Sequence, residues 1–314
     1  MTRHGLAFVF ATLLLAGLVM LALAVGPQGF GWGASNSLLL LRAPRVLAAL
    51  AAGLALGIGG AAQQGVFRNP LADPGLTGVF GGALFGIAVL LGLAPELAWQ
   101  KVWLIPGAAF SGALATSTLL VLIGSRGSSA RLLLTGLGLN AFTAAGTLVI
   151  ATRSGESREL LTNGAYGDWL GMATLELIWL PALLCTAAAL LLLTMARSFD
   201  LLAFGEDAAV SFGCDVHAVR RRAVLLTALA AAAATCLVGQ VAFIGLLAPH
   251  LARALAGPRH ARVLPFSALI GAGLLVAADT LGRGLFPHAP LSAAAVTAVL
   301  GAPLFIWIAR KRYE

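Results

Sequence analysis

The sequence predicts an all-α, polytopic membrane protein with about ten transmembrane helices. Hydrophobic residues make up 60% of the 314 residues and charged residues only 10%, whereas soluble domains carry roughly 25% charged residues. Apolar runs close to the roughly 20 residues that cross a bilayer recur along the whole chain. These Leu- and Ala-rich runs lack the alternation of a β-barrel, so helices are the structure that satisfies their backbone in lipid.

Apolar runs and the turn signals between them give the order of the spans. The first run, 5–25, is long for the apolar part of a signal peptide, so we interpret it as a retained span. The run at 244–257 is short for a full crossing, and we expect a tilted or partly buried helix. We treat 1–314 as a single transmembrane domain. The predicted spans are 5–25, 45–65, 77–94, 102–123, 131–152, 177–197, 223–243, 244–257, 263–283 and 290–309.

Basic residues indicate how the chain is oriented. Ten spans place both termini on one side, and with the N-terminus inside, most of the twenty Lys and Arg residues fall in inner segments. Cytoplasmic loops of membrane proteins carry such an excess, so we predict cytoplasmic N- and C-termini. The net charge of +8 follows from this topology, and we predict no nucleic-acid partner.

One inner segment, 197–222, is long and rich in charges of both signs. Its apolar residues are interrupted by Gly205 and Gly213, which predicts two short amphipathic helices, each ended by a glycine. A solvated loop does not need these apolar residues. The segment is therefore typical of a docking surface for a soluble partner; a helix that lies in the lipid interface is the alternative.

The sequence lacks the motifs of several kinds of catalytic and metal-binding site. A Walker-type ATPase needs Gly-Lys-[Ser/Thr], but Lys101 and Lys311 follow Gln100 and Arg310. The three cysteines show no CxxC spacing, and no catalytic motif is present, so we predict no catalytic residue, metal site or cofactor on this chain. Asp279 lies four residues before Arg283, and an ion pair on one helix explains it. We expect no carboxylate near the centre of the bilayer.

Seven strings, in order along nearly the whole chain, resemble the FecCD family of ABC importer permeases. They are RAPR (42–45), RNPLADPG (68–75), SSARLLLTG (128–136), GEDAAVSFG (205–213), FIGLLAPHLAR (243–253), ADTLGR (278–283) and LGAPLFIW (300–307).

The resemblance implies a permease, not an enzyme, in the inner membrane of a bacterium. It implies a homodimer in membrane lipid, two cytoplasmic ABC ATPase subunits that hold ATP and Mg, and a periplasmic or extracellular substrate-binding protein. The implied cargo is a metal chelate that moves inward, with ferric siderophore favoured over heme or cobalamin. An ion-coupled secondary transporter and a membrane-embedded enzyme are the alternatives. The secondary transporter would need carboxylates inside the membrane, and the enzyme would need a set of catalytic residues.

The resemblance also implies roles for individual residues. Coupling helices at about 198–216 would contact the ATPase through Leu201, Phe204, Gly205, Glu206, Asp207 and Gly213. A cytoplasmic gate would comprise Asn69, Leu71, Ser128 and Ser129, with ordinary turns as the alternative. Arg42, Arg45 and Arg283 would dock the binding protein, with interfacial anchoring as the alternative. Asn140 would line the pathway or hydrogen-bond between helices.

Overall fold

The computed structural model describes residues 3–26, 29–30, 36–101, 103–124, 129–152, 169–285 and 291–313. These residues are almost entirely helical, which confirms the all-α prediction. The helices are α1 (Arg3–Ala24), α2 (Asn36–Phe67), α3 (Val79–Leu93), α4 (Pro95–Gln100), α5 (Leu104–Gly124), α6 (Ser129–Ala151), α7 (Leu175–Leu193), α8 (Ala196–Ala203), α9 (Glu206–Ser211), α10 (Val216–Val238), α11 (Ile244–Ala256), α12 (His260–Leu285) and α13 (Ala293–Tyr313). Two 3₁₀ turns (Pro74–Thr77, Trp169–Met172) and the antiparallel pair β1 (Val25–Gly26) and β2 (Gly29–Phe30) complete the described elements.

Seven of the described helices are long and apolar enough to cross a membrane: α1, α2, α5, α6, α7, α10 and α12. Three shorter apolar helices lie at Val79–Leu93, Ile244–Ala256 and Ala293–Ile306. Each of the ten predicted spans overlaps one of these helices, whereas the number of complete crossings stays a prediction. The helix at Ile244–Ala256 has 13 residues, and most of its first turns are buried, in agreement with the expected short, packed helix.

Helix α2 is the centre of the bundle, and glycines bring its neighbours into backbone contact. A Cβ atom at Gly53 would collide with the backbone of Gly271 in α12, and one at Gly57 with the carbonyl of Ser267. A Cβ at Gly60 would collide with the backbone of Gly245 in α11. Small residues allow this approach, which is how helices associate in lipid without a hydrophobic driving force between them.

The segment between α2 and α3 (68–78), which we call the returning segment, runs back toward the interior of the bundle. A Cβ at Gly245 would lie 3.0 Å from Asp73 Oδ2 and 3.2 Å from the carbonyl oxygen of Leu56. Leu56 lies eleven residues before Phe67, the last residue of α2, so Asp73 sits roughly 15 Å along the helix from that end. Asp73 is therefore a carboxylate packed against α2 and α11 that the sequence analysis did not single out, and the expectation that no carboxylate lies near the centre of the bilayer stays a prediction.

Local hydrogen bonds explain why the returning segment tolerates a carboxylate. Asp73 Oδ1 accepts the backbone N–H of Gly75 at 2.8 Å and caps the turn at Pro74–Thr77. Asn140 of α6 donates from Nδ2 to the carbonyl oxygen of Gly75 at 3.0 Å. An Asp before Pro-Gly is a turn signal, so the turn itself was visible in the sequence, whereas its depth depends on tertiary packing.

Candidate functional site

Helices α8 and α9 and the two residues that follow them form a hairpin, which we call the α8–α9 hairpin (196–213), at the end of the bundle where α2 terminates. Its inner side is apolar and buried: Phe199 and Ala209 are fully buried. Its outer side is also apolar, yet Phe204 is 77%, Val210 60% and Phe212 70% exposed. An apolar surface of this kind beside charged residues is typical of a protein-docking site.

Two glycines shape this hairpin. Gly205 separates α8 from α9 at φ +111° and ψ 158°, and Gly213 follows α9 at φ +78°. The conformation of Gly205 is essentially restricted to glycine because a Cβ atom is strained there. The prediction of two short helices, each followed by a glycine, is confirmed.

Each helix of the hairpin is tied to a different long helix. Glu206 at the start of α9 accepts Nη2 of Arg220 in α10 at 2.6 Å, and the arginine side chain is nearly buried. Asp200 of α8 accepts the backbone N–H of His260, the first residue of α12, at 2.8 Å. Sequence reasoning missed Asp200, Arg220 and His260, because their partners lie too far along the chain to be paired by any local pattern.

The opposite end of the bundle holds a cluster of Arg42, Arg45, Asp279 and Arg283, which we call the arginine cluster. Arg45 donates from Nε and Nη2 to Asp279 Oδ1 at 2.8 and 2.6 Å. Arg283 donates from Nε to Asp279 Oδ2 at 3.0 Å. The ion pair predicted between residues 279 and 283 is thus confirmed, and Arg45 of α2 joins it.

The arginines of this cluster also donate hydrogen bonds to backbone carbonyl oxygens at the C-terminal end of α1. Arg42 donates from Nη1 to the carbonyl oxygens of Leu23 and Ala24 at 2.9 and 3.1 Å, and Arg283 donates to Val25 at 2.7 Å. Cations are favourable at a helix C-terminus, where the last carbonyls lack helical partners. The three predicted docking arginines therefore lie together and hold α1, α2 and α12 to one another.

The predicted gate residues are only partly described. Asn69 Oδ1 accepts the backbone N–H of Leu71 at 3.0 Å, which makes a compact turn after α2. Ser129 is the first residue of α6, and Ser128 lies outside the described residues. The amide of Asn140 bonds the returning segment, as described above. Among the described residues, no group of three or more His, Cys, Asp or Glu side chains could hold a metal ion.

Comparison with known proteins gives a consistent result. The model of the FecCD transport family matches residues 6–311. The hemin transport system permease protein HmuU of Yersinia pestis is 36% identical over 87% of this chain and 83% of its own length. The Fe(3+) dicitrate transport system permease protein FecD of Escherichia coli is 35% identical over 96% of both chains. A solved structure described as a metal-chelate type ABC transporter, in an inward-facing conformation, superposes with a TM-score of 0.87 at 25% identity, over 98% of this chain and 99% of the other.

Proposed function

This chain belongs to the FecCD transport family, and from this premise we propose that it moves an iron chelate into the cell. It is a multi-pass membrane permease, the transport subunit of an ABC importer. It is not an enzyme, since ATP hydrolysis in such importers belongs to a separate subunit. The observation that carries the proposal for the cargo is that both relatives described above are named for iron complexes, hemin and Fe(3+) dicitrate.

The proposed assembly has two copies of this chain, two ABC ATPase subunits that hold ATP and Mg, and a substrate-binding protein. The α8–α9 hairpin docks the ATPase through Phe204, Phe212 and the neighbouring carboxylate of Asp207, which is exposed. The exposed aromatic rings support this role, because aromatic residues dominate the energy of protein interfaces. The hairpin end then faces the cytoplasm together with the N- and C-termini, in the inner membrane of a bacterium.

In this proposal the arginine cluster lies at the outer end and receives the binding protein. Its three cationic side chains suit acidic residues on a partner. Charge reversal of Arg42, Arg45 and Arg283 together is expected to weaken capture of the binding protein. Normal capture at moderate salt would contradict this docking role and leave the cluster as an anchor for α1.

The proposed cytoplasmic gate comprises the turn at Asn69 and Leu71, Ser129 at the start of α6, and Ser128, which precedes it in the sequence. Asn140 supports this assignment indirectly. Its amide joins α6 to the segment that follows the turn, so a displacement of α6 changes the position of both halves of the gate.

Substitution of Gly205 by alanine or leucine is expected to uncouple ATP hydrolysis from transport. The positive φ of this residue strains any side chain by about 1–3 kcal/mol, and the strain changes the angle between α8 and α9. ATPase activity and chelate uptake are measured together in proteoliposomes. Gly257, at φ +79° after α11, is the matched control, because alanine there creates similar strain outside the hairpin. Unchanged uptake per ATP in the Gly205 variants would contradict the prediction.

Reconstitution with a candidate ABC ATPase and a candidate binding protein tests the proposed cargo. Proteoliposomes are supplied with ferric siderophores, ferric citrate, heme and cobalamin in turn, and ATP-dependent uptake of each is measured. We expect uptake of an iron complex. Uptake of cobalamin alone would retain the importer and overturn the cargo, whereas uptake that needs a proton gradient instead of ATP would overturn both.

A further inference from the structure

We propose that Asp200 and His260 are positioning residues that transmit movement of the α8–α9 hairpin to α12 and α2. This inference rests on the proposed function, in which the ATPase docks on that hairpin. The two residues form a contact between the hairpin and α12, in which the side chain of His260 is 8% exposed and that of Asp200 is 35% exposed.

A single carboxylate oxygen makes the connection. Asp200 Oδ1 accepts the backbone N–H of His260 at 2.8 Å, and it also lies 2.8 Å from Nδ1 of the imidazole ring. The first N–H groups of a helix have no partner within the helix, and a carboxylate is favourable at this end. Asp200 thus binds both the imidazole of His260 and the backbone at the N-terminus of α12. The two contacts together constrain the position and the direction of the helix.

Helix α2 encloses the same contact. The ring of Phe199 meets the imidazole of His260 edge-on, with centroids 5.7 Å apart at 60°. A Cβ at Gly65 would lie 2.9 Å from His260 Nε2 and 3.3 Å from the Cβ of Phe199. Because Gly65 leaves no spare volume, displacement of α8 must displace either the imidazole or α2. Close-packed interiors transmit strain in this way.

The helix that receives this displacement reaches the opposite end of the molecule. His260–Leu285 contains 26 residues, which is about 39 Å of helix. Its far end carries Asp279 and Arg283 of the arginine cluster. A shift applied at His260 is therefore delivered to the residues proposed to meet the binding protein. The second attachment, between Glu206 and Arg220, leads to α10 instead.

The test uses the complete transporter in proteoliposomes, with uptake and ATP hydrolysis measured on the same preparation. Asp200→Ala is expected to lower the amount of chelate moved per ATP roughly tenfold, the equivalent of one lost charge-assisted hydrogen bond. Asp200→Asn keeps an acceptor oxygen for the N–H groups and is expected to restore most of the coupling. Gly65→Ala perturbs the same contact without removal of a polar group, and we expect a similar loss.

Control measurements distinguish a loss of coupling between the hairpin and α12 from a loss of folded complex and from a failure of the proposed function. Glu176→Ala removes an exposed carboxylate from the first turn of α7 and is expected to leave coupling unchanged. If the loss of uptake in Asp200→Ala only parallels a loss of assembled complex or of ATPase activity, the role is structural and the inference fails. It also fails if Asp200→Ala keeps the normal uptake per ATP. Absence of ATP-driven uptake by the unchanged chain would instead overturn the proposed function.

Discussion

Replacement of Asp279 by alanine is expected to destabilise the protein by about 3–5 kcal/mol, the usual cost of removal of one partner from a buried ion pair. Asp279 is 1% exposed and Arg283 2% exposed. Without the carboxylate, the buried guanidinium of Arg283 loses the counter-charge that Asp279 Oδ2 supplies, and its desolvation is no longer compensated. Reversible unfolding in mixed micelles measures the change in free energy.

Two further variants test whether the loss of stability comes from the buried ion pair. Glu176→Ala removes an exposed carboxylate and is expected to change stability by less than about 0.5 kcal/mol. Addition of Arg45→Ala to the Asp279 variant is expected to cost less than the sum of the two single changes, because residues in one network are coupled. A loss for Asp279→Ala no larger than that for Glu176→Ala would show that the arginines find water or lipid headgroups instead.

Gly60→Ala is the second large effect, and we expect it to destabilise the protein by about 3 kcal/mol, the upper part of the usual range for overpacking. The added methyl group would meet backbone atoms of Gly245. A side chain can rotate away from a clash, whereas a backbone cannot, so α11 would have to separate from α2. Thermal unfolding and the monodisperse fraction in detergent are the measurements.

Gly17→Ala provides the matched control for Gly60→Ala. Both positions are helical, but within the described part of the chain no atom outside α1 lies within 4 Å of a Cβ at Gly17. Alanine is the better helix former by about 1 kcal/mol, so this variant is expected to be as stable as the unchanged chain or slightly more so. Equal stability of the two variants would mean that the α2–α11 contact relaxes without cost.

The positions of the helices could be predicted because the signals are local. Apolar runs located a described helix for each of the ten predicted spans, and Gly205 and Gly213 located the ends of α8 and α9. The start of α2 was placed too late: the helix begins at Asn36 and contains Pro44, which looks like a boundary in the sequence. Helix α4 was not predicted at all, since six residues carry too little periodicity to distinguish a helix from a loop.

Most contacts that define the candidate sites could not be predicted from the sequence, because they join residues that lie far apart along the chain. Asp279 and Arg283 are separated by one helical turn, so their pairing could be predicted. Arg45 lies 234 residues from Asp279, and Asp200 lies 60 residues from His260; no spacing rule joins such pairs. The depth of Asp73 likewise depends on how the returning segment packs against α2 and α11.

The glycine contacts of α2 have a consequence for the transport cycle. Gly53, Gly57 and Gly60 place α2 in backbone contact with both α11 and α12, so at these three positions no side chain lies between the helices that could rearrange. Tightly packed elements of this kind move together, because packed interfaces switch between discrete arrangements and do not deform continuously. We therefore expect α2, α11 and α12 to move together as one body when the permease changes conformation.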